Sequence, residues 1–569
     1  MKAGLPTRWF WGVLLAVFFL TAWRFWLVGH SGISLFVDEA YYWSWSRELA
    51  WGYFSKPPGV GWLVYASNAL FGTNVLGTKG LSMLLYPLTA GMIFLLGRDL
   101  YGPRVGAVAA LVFISSFMVG LLGLFVSTDS LLLFFWASAA WCWWRGLHRA
   151  RMAWWLAAGL ALGLGLLSKY TMAAFAATAL WTLWSNYHLA KVNTAPGAIH
   201  FADFGPRPAW QTAGPWLAAL IALALFAPHI AWNLNHGSPT LRHTAEITTL
   251  AKQAGGAASL AEFWAGQLLL LGPLPLLVAL AAAVQAGRWV WLRRSGAATG
   301  PNGAAPPEPA AAAGRLSPTA YLLALALPLL AVTTLQALRS RANINWGAPA
   351  YIAIALLFAA WVCGQLHLRA QRAGPARAVA DGVASGSANG RASGLAHPRW
   401  LAATVALNLL LAVLVCHAKD LAALMGRELP AKADVFVRMR GWHEAFAALQ
   451  PLALQHAQAQ PKQARLPVLG VGRQLLAQAT YEWRGLNVQP VAWNPQQRAD
   501  DQYQLTTDLQ AFKGRDVLLV LDHPPPAGMA ERFERLELLG QTLQSVAPGR
   551  DVRLTLWRAQ GFKGYSNHP

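Results

Sequence analysis

Residues 36–63 read FVDEAYYWSWSRELAWGYFSKPPGVGWL. An acidic pair, Asp38 and Glu39, follows directly on an apolar run over 9–29. From Asp38 to Ala50 the residues are good helix formers, and Tyr41, Tyr42 and Trp45 form an aromatic face. That pattern predicts a helix lying in the plane of a membrane interface. Trp51, Tyr53 and Phe54 extend the aromatic belt. Lys56 then precedes Pro57-Pro58, whose rings keep the backbone extended and hold the lysine in one place. Ionisable side chains at a bilayer edge are costly unless they face a cavity or a partner. Asp38, Glu39 and Lys56 are therefore functional candidates. A structural reading fits the same residues: Asp38 as a helix N-cap, the aromatics as headgroup anchors, and Lys56 as a snorkelling lysine.

The rest of the chain supports a membrane setting. Of 569 residues, 56% are hydrophobic and only 12% are charged, against roughly a quarter charged in soluble proteins. The mean hydropathy of +0.36 fits a membrane protein with a sizeable polar part. Intrinsic disorder and a disulfide scaffold are excluded. Cys142, Cys363 and Cys416 all sit in apolar runs and read as small core residues.

Eleven apolar runs approach the length of a membrane helix: 9–29, 80–97, 105–125, 130–145, 153–168, 170–187, 214–232, 263–285, 318–336, 348–366 and 400–417. The first lacks an A-x-A-like cleavage site and contains Arg24, which predicts an uncleaved anchor. With the N-terminus inside, the inner segments collect Arg98, Arg104, Arg145, Arg149, Arg151, Arg288, Arg293 and Arg294, with few acids. This is the positive-inside pattern. The net charge of +21 is thus largely a topology signal, and no nucleic-acid partner is implied. Two inner loops, 296–314 and 373–397, are low-complexity and read as flexible connections.

The outer segments carry the other candidates. Ser127-Thr128-Asp129-Ser130 forms a short turn, either an N-cap or a site around Asp129. Residues 233–246 contain Arg242, His243 and Glu246, and residues 339–346 contain Arg341 and Asn345. Each of these also reads as a solvated loop. All fall on one face of the bundle, where a carboxylate and several cations suggest an anionic substrate reached from the lipid. His229, His236 and His243 are spaced by seven with no carboxylate set nearby, so no metal site is read there. A divalent cation beside Asp38 is compatible with the sequence.

An odd number of spans puts the tail outside as well. Leu466–Val471, Val517–Leu521 and Val552–Trp557 look like strands, with helix-like segments at 472–484 and 526–545. A small α/β domain is expected there. Gly470-Val471-Gly472 lacks the third glycine of a dinucleotide fingerprint and reads as a turn.

DEAYYW…GYFSKPPGVGWL, the basic Lys79 before the second span, STDSLLLFFW, GLGLLSKYT and RANINWGAPAYIA follow one another in an order that is familiar. Over roughly residues 10–365 the chain resembles the bacterial glycosyltransferase family 39 group. That group is related to protein O-mannosyltransferases and to the aminoarabinose transferase that modifies lipid A. The resemblance implies a polytopic α-helical membrane protein of the C-type glycosyltransferase fold. With the tail, the expected division is a multi-span domain over 1–417 and a periplasmic α/β domain over 418–569. It further implies a polyprenyl-monophosphate sugar as donor and transfer with inversion on the periplasmic side of the inner (plasma) membrane. The family's essential acid maps onto Asp38, with Glu39 second in the pair, and a recurrent acid onto Asp129. Lys56 maps onto the lysine expected at the donor phosphate, and Lys79, Arg242 and Arg341 are further phosphate candidates. Tyr41, Tyr42, His243 and Asn345 are candidates for substrate binding. Relatives often carry Asp, Glu or His where this chain has Ser55, which withdraws a second acid or base at that position.

The residue chemistry agrees. A fixed cation would stabilise charge on a leaving lipid phosphate, and Asp38 would act as general base or orient the acceptor. A retaining route would need a carboxylate nucleophile with the two carboxyls about 5–5.5 Å apart, which a sequence leaves open. A flippase of lipid-linked sugars is the alternative, though no internal repeat of the transporter kind is visible. An assembly protein using its outer domain is a third reading. The acceptor stays open among lipid A, a protein and a polysaccharide, and so does the sugar.

Overall fold

The computed structural model describes residues 8–149, 151–193, 209–249, 256–294, 316–368, 395–458 and 465–565. The low-complexity loops at 296–314 and 373–394 lie outside the described residues.

The membrane part runs α1 (Arg8–His30), α2 (Val37–Ser46), α3 (Gly59–Phe71), α4 (Val75–Tyr101), α5 (Pro103–Ser115), α6 (Phe117–Leu122), α7 (Thr128–His148) and α8 (Met152–Ser168). It continues through α9 (Phe175–Asn193), α10 (Ala213–Asn235), α11 (Pro239–Thr249), α12 (Ala257–Leu271), α13 (Pro273–Arg294), α14 (Pro318–Arg339), α15 (Ala350–Val362) and α16 (Pro398–Cys416). Among the described residues, α1, α4, α10, α14 and α16 are each long and apolar enough to cross a membrane. α5, α8 and α15 are shorter apolar helices. This is a multi-pass membrane protein.

Two apolar runs read as single spans are broken. The run 263–285 bends by 112° between α12 and α13. Pro273 has no N–H to continue the ladder, and Gly272 adopts φ +91, a conformation open to glycine. The run 105–125 is interrupted at Ser116, whose hydroxyl caps α6 by accepting from the Val119 amide at 3.3 Å. One buried side chain serves both breaks. Asn408 on α16 accepts from the Phe117 amide at 2.9 Å and donates to the Leu271 carbonyl at 3.3 Å. Unpaired backbone groups in a bilayer cost several kcal/mol each, so this amide makes both breaks tolerable.

The tail begins with α17 (Ala418–Leu424) and α18 (Trp442–Gln458), then β1 (Leu466–Gly470), α19 (Arg473–Glu482) and β2 (Val488–Ala492). It ends with α20 (Gln502–Thr506), β3 (Val517–Leu521), β4 (Arg535–Ala547) and β5 (Arg550–Gln560). The sheet order is β2-β1-β3-β5-β4. β1 pairs in parallel with β2 and β3, and β5 runs antiparallel to β3 and β4. The helix expected at 526–545 is a strand over most of its length. Ala547 pairs with Arg550 across Pro548-Gly549, so a two-residue turn folds β4 back on β5. The pairing overrides the helix-forming residues of the segment.

α2 lies between the bundle and the tail, and its aromatic face is packed against protein. Tyr41, Trp43, Trp45 and Tyr53 form one core with Leu476, Ala477, Tyr481 and Tyr503 of the tail. Gln478 donates to the Leu35 carbonyl at 3.0 Å, Ser34 donates to Glu482 at 2.6 Å, and Tyr503 donates to Ser44 at 3.0 Å. The aromatics pack sheet domain to bundle. Trp51 alone among those named from that belt stays largely exposed, at 48%.

Candidate active site

The acidic pair divides its two carboxylates between interior and site. Neighbouring residues on a helix point about 100° apart, so Asp38 and Glu39 cannot face the same way. Glu39 turns inward. It accepts from Lys79 Nζ at 2.7 Å, from the Val126 amide at 2.6 Å and from the Phe36 amide at 2.7 Å. Lys79 also donates to the Leu124 carbonyl at 3.1 Å. Both side chains are closed off, so two expectations are corrected: Glu39 is not available to a substrate, and Lys79 is not available to a phosphate. The amide at the start of α2 is satisfied by Glu39, and this leaves Asp38 free of the N-cap role.

Asp38 turns outward and is 43% exposed. Its Oδ1 lies 3.5 Å from Nη2 of Arg473, the first residue of α19, which is equally exposed. Sequence reading missed Arg473, because nothing in the tail signals which helix end meets α2. Lys56 stands in the same cluster. The Tyr53 amide donates to the Lys56 carbonyl at 3.1 Å and closes a turn ahead of the two prolines. Gly59 then sits against the end of α8, where an added Cβ would come within 2.8 Å of the Leu167 carbonyl oxygen. Glycine is what lets this loop approach Lys169. Lys56 is half-buried and has no hydrogen bond or ion pair from its ammonium among the described residues. Burial first, and then the Lys169 charge, push its pKa below the ordinary lysine value, while Asp38 and Asp129 pull it back.

Asp129 lies in the first turn of α7, capped by Ser127, whose hydroxyl accepts from the Asp129 amide at 3.2 Å. Its carboxylate accepts from Lys169 Nζ at 2.7 Å and from Asn345 Nδ2 at 2.7 Å. Lys169 belongs to the GLGLLSKYT segment, and its pairing with Asp129 was not foreseen. Its neighbour Tyr170 is tied down by a relay. His229 Nδ1 lies 2.7 Å from the Trp51 carbonyl, which can only accept, so Nδ1 carries the proton. Nε2 then accepts from the Tyr170 hydroxyl at 2.6 Å. Thr240 donates to the Tyr53 carbonyl at 2.8 Å. The loop carrying Lys56 and the turn carrying Lys169 are thus both tied to α10 through His229, and the loop also to α11 through Thr240.

The remaining candidates separate. Tyr42 is buried, and its phenol is pushed well up, first by burial and then by the Asp38 charge. His243 is half-buried on α11, its ring 5.6 Å from that of Phe54. Burial first, then Lys56 and Arg473, lower its pKa and favour the neutral imidazole. Tyr41 is a correction: its hydroxyl accepts from the Gln502 amide in the packed core between bundle and tail. Arg341 is 73% exposed and pairs with Glu262 at 3.0 Å. Arg242 is exposed on α11, with no hydrogen bond or ion pair tying it to the cluster. Among the described residues no three His, Cys, Asp or Glu side chains converge on a metal site. Asp38 has Arg473 beside it and Lys56 within electrostatic range.

Residues 55–232 match the sequence profile of the dolichyl-phosphate-mannose-protein mannosyltransferase family. The chain is 28% identical over 351 residues to the lipid A galacturonosyltransferase RgtD of Rhizobium johnstonii, covering 61% of this chain and 65% of that one. It is 31% identical over 191 residues to the undecaprenyl phosphate-alpha-4-amino-4-deoxy-L-arabinose arabinosyl transferase of Pseudomonas savastanoi pv. phaseolicola, covering 31% of each chain. The chain thus spans less than two thirds of the length of these relatives. The crystal structure of ArnT from Cupriavidus metallidurans bound to undecaprenyl phosphate superposes with a TM-score of 0.55 at 17% identity. That likeness covers 96% of this chain and 97% of that one, and the fold is the C-type glycosyltransferase membrane fold with a small C-terminal sheet domain. The resemblance read from the sequence agrees with these matches.

Proposed function

We propose that this chain moves a sugar from a polyprenyl-monophosphate carrier to an acceptor, on the periplasmic face of a bacterial inner membrane. The observation that carries this reading is Lys56: a half-buried ammonium with no bonded partner among the described residues, clustered with Asp38 and Lys169. A lipid phosphate supplies the anion that this cation lacks. As the glycosidic bond breaks, negative charge builds on the leaving phosphate, and Lys56 stabilises it where little water competes. Lys169 adds a second positive charge held by Asp129. Asp38, exposed to an incoming group, takes the proton of an acceptor hydroxyl or fixes its position. Attack opposite the phosphate inverts the anomeric carbon. Asp129 and Asn345 act on the other side of Lys169 as positioning groups, while Tyr42 and His243 border the sugar.

Several observations support the finer parts. The matched relatives carry undecaprenyl phosphate or lipid A in their names, which favours a lipid-linked donor and a lipid A-type acceptor here. We assign transfer to residues 1–417, with 418–569 as the outer domain. The test uses the full chain in nanodiscs with a panel of polyprenyl-phosphate sugars and lipid A as acceptor. Release of free polyprenyl phosphate, lost in Asp38→Asn and Lys56→Ala, is the expected result. Movement of a labelled lipid-linked sugar between leaflets without its consumption overturns the reading in favour of a flippase.

A further inference from the structure

Arg473 belongs to the sheet domain, yet its guanidinium stands in the membrane site. α19 packs on α2 in a shared core, and Gln478 and Glu482 tie it to Leu35 and Ser34 in the segment just ahead of α2. The guanidinium lies over the Tyr41 ring, 5.5 Å from its centroid, which sets its plane. Its contact with Asp38 is a single one at 3.5 Å, longer than a hydrogen bond, and both side chains are 43% exposed. Its charge is felt by Lys56 and by His243. The fork of an arginine matches an oxyanion through two parallel hydrogen bonds, and here donors of that fork remain open towards the site.

The other cations are assigned. On the transferase reading Lys56 meets the carrier phosphate, and Lys169 is engaged by Asp129. Asp129 is taken up by Lys169 and Asn345, while Asp38 faces Arg473 at 3.5 Å, so a positive charge already stands beside each carboxylate. Three cations, Lys56, Lys169 and Arg473, are therefore gathered with Asp38 and Asp129, and Asp501 also lies within electrostatic range of Arg473. We infer that Arg473 is a specificity-determining residue that binds a second oxyanion of the reacting pair, beside the carrier phosphate. That oxyanion is either a carboxylate on the transferred sugar or a phosphate on the acceptor. A sugar bearing an ammonium group is disfavoured by the same charges. The inference rests on the transferase reading and adds to it a residue from the outer domain.

The experiment compares full-length wild type, Arg473→Gln and Arg473→Lys in nanodiscs. The donors are polyprenyl-phosphate-linked galacturonic acid, galactose and aminoarabinose. The acceptors are lipid A with and without its phosphates, and kcat/KM is measured for each pair alongside the melting temperature. Arg473→Gln is expected to lose about ten- to a hundredfold on pairs that carry the second oxyanion, as for a charged hydrogen bond, and much less on pairs that lack it. Arg473→Lys is expected to recover part of that loss. A loss that follows the uronic acid identifies the donor as the source, and one that follows the acceptor phosphates identifies the acceptor. An equal loss on every pair overturns the inference, and Arg473 then only docks the sheet domain. Wild type that prefers the amino sugar also overturns it. If wild type consumes no donor at all, the transferase reading falls, and this inference falls with it.

Discussion

Lys79 and Glu39 meet at 2.7 Å with side chains 0% and 1% exposed. A buried ion pair with both partners present is a weak source of net stability, but removing one partner strands the other. Glu39→Leu leaves Lys79 and the Val126 and Phe36 amides without their acceptor. A loss of about 3–5 kcal/mol is expected from this class of change. Lys79→Met costs less, because Glu39 keeps two amide donors. The double variant is expected to recover much of the Glu39→Leu loss. Chemical unfolding of the purified protein checks the order of the three, and a Glu39→Leu protein as stable as wild type would contradict it.

Asp38 differs from its neighbour in every respect that matters to a substitution. It is half-exposed and holds one long contact to Arg473. Pairs of that kind contribute about 0–1 kcal/mol, so Asp38→Asn is expected to fold as wild type does. Turnover is expected to fall by about 10²–10⁴, the contribution of a general base. If Asp38 only orients an acceptor that is already ionised, the fall is smaller and independent of pH. A pH profile of kcat for both proteins separates the two.

Lys56 predicts an alkaline limb. Its lowered pKa means that the ammonium begins to lose its proton below pH 10.5, the ordinary lysine value. Donor affinity is expected to weaken as pH rises through that range, with KM rising before kcat changes. Folding runs the other way. In the window below pH 10.5 the unfolded chain binds the proton more tightly than the folded one, so the cost of burying this charge is relieved as pH rises. Lys56→Arg keeps its charge at high pH and is expected to abolish the limb. An unchanged limb in that variant would assign it to another group.

Asn408 predicts a stability loss far from the site. Asn408→Leu removes both bonds and leaves the Phe117 amide and the Leu271 carbonyl unpaired. Each orphaned buried group costs about 1–3 kcal/mol, and a lower melting temperature in detergent is expected. Asn408→Asp keeps the acceptor for Phe117 but not the donor for Leu271, and should fall between. Equal melting temperatures for all three proteins would refute the bridging role.

The sequence made the site's address legible through DEAYYW and SKPP, because charges beside apolar runs are rare enough to stand out. The pattern of residues alone did not show that Glu39 turns inward while Asp38 faces out. Both are acids at the same membrane edge, and only packing decides which one faces inward. Lys79 was misassigned for the same reason: its partner lies on a different helix. Arg473 was invisible because its position depends on how the tail docks, which no local pattern encodes. Breaks at Ser116 and Gly272 were hidden inside runs that hydropathy reads as continuous. At 535–547 the residues favour helix locally, and a non-local partner, β5, wins.

The bridging amide on α16 also imposes an order on how the molecule is made. Translation delivers the break at Ser116 first, the bend at Gly272 next and Asn408 last. A nascent chain that ends before Pro398 therefore carries two open polar groups in the bilayer. The late-arriving span acts as a latch that seals both at once. Until the ribosome has passed that point, the half-built bundle is recognisable as unfinished, and a truncated product would be a substrate for membrane quality control instead of a smaller working enzyme.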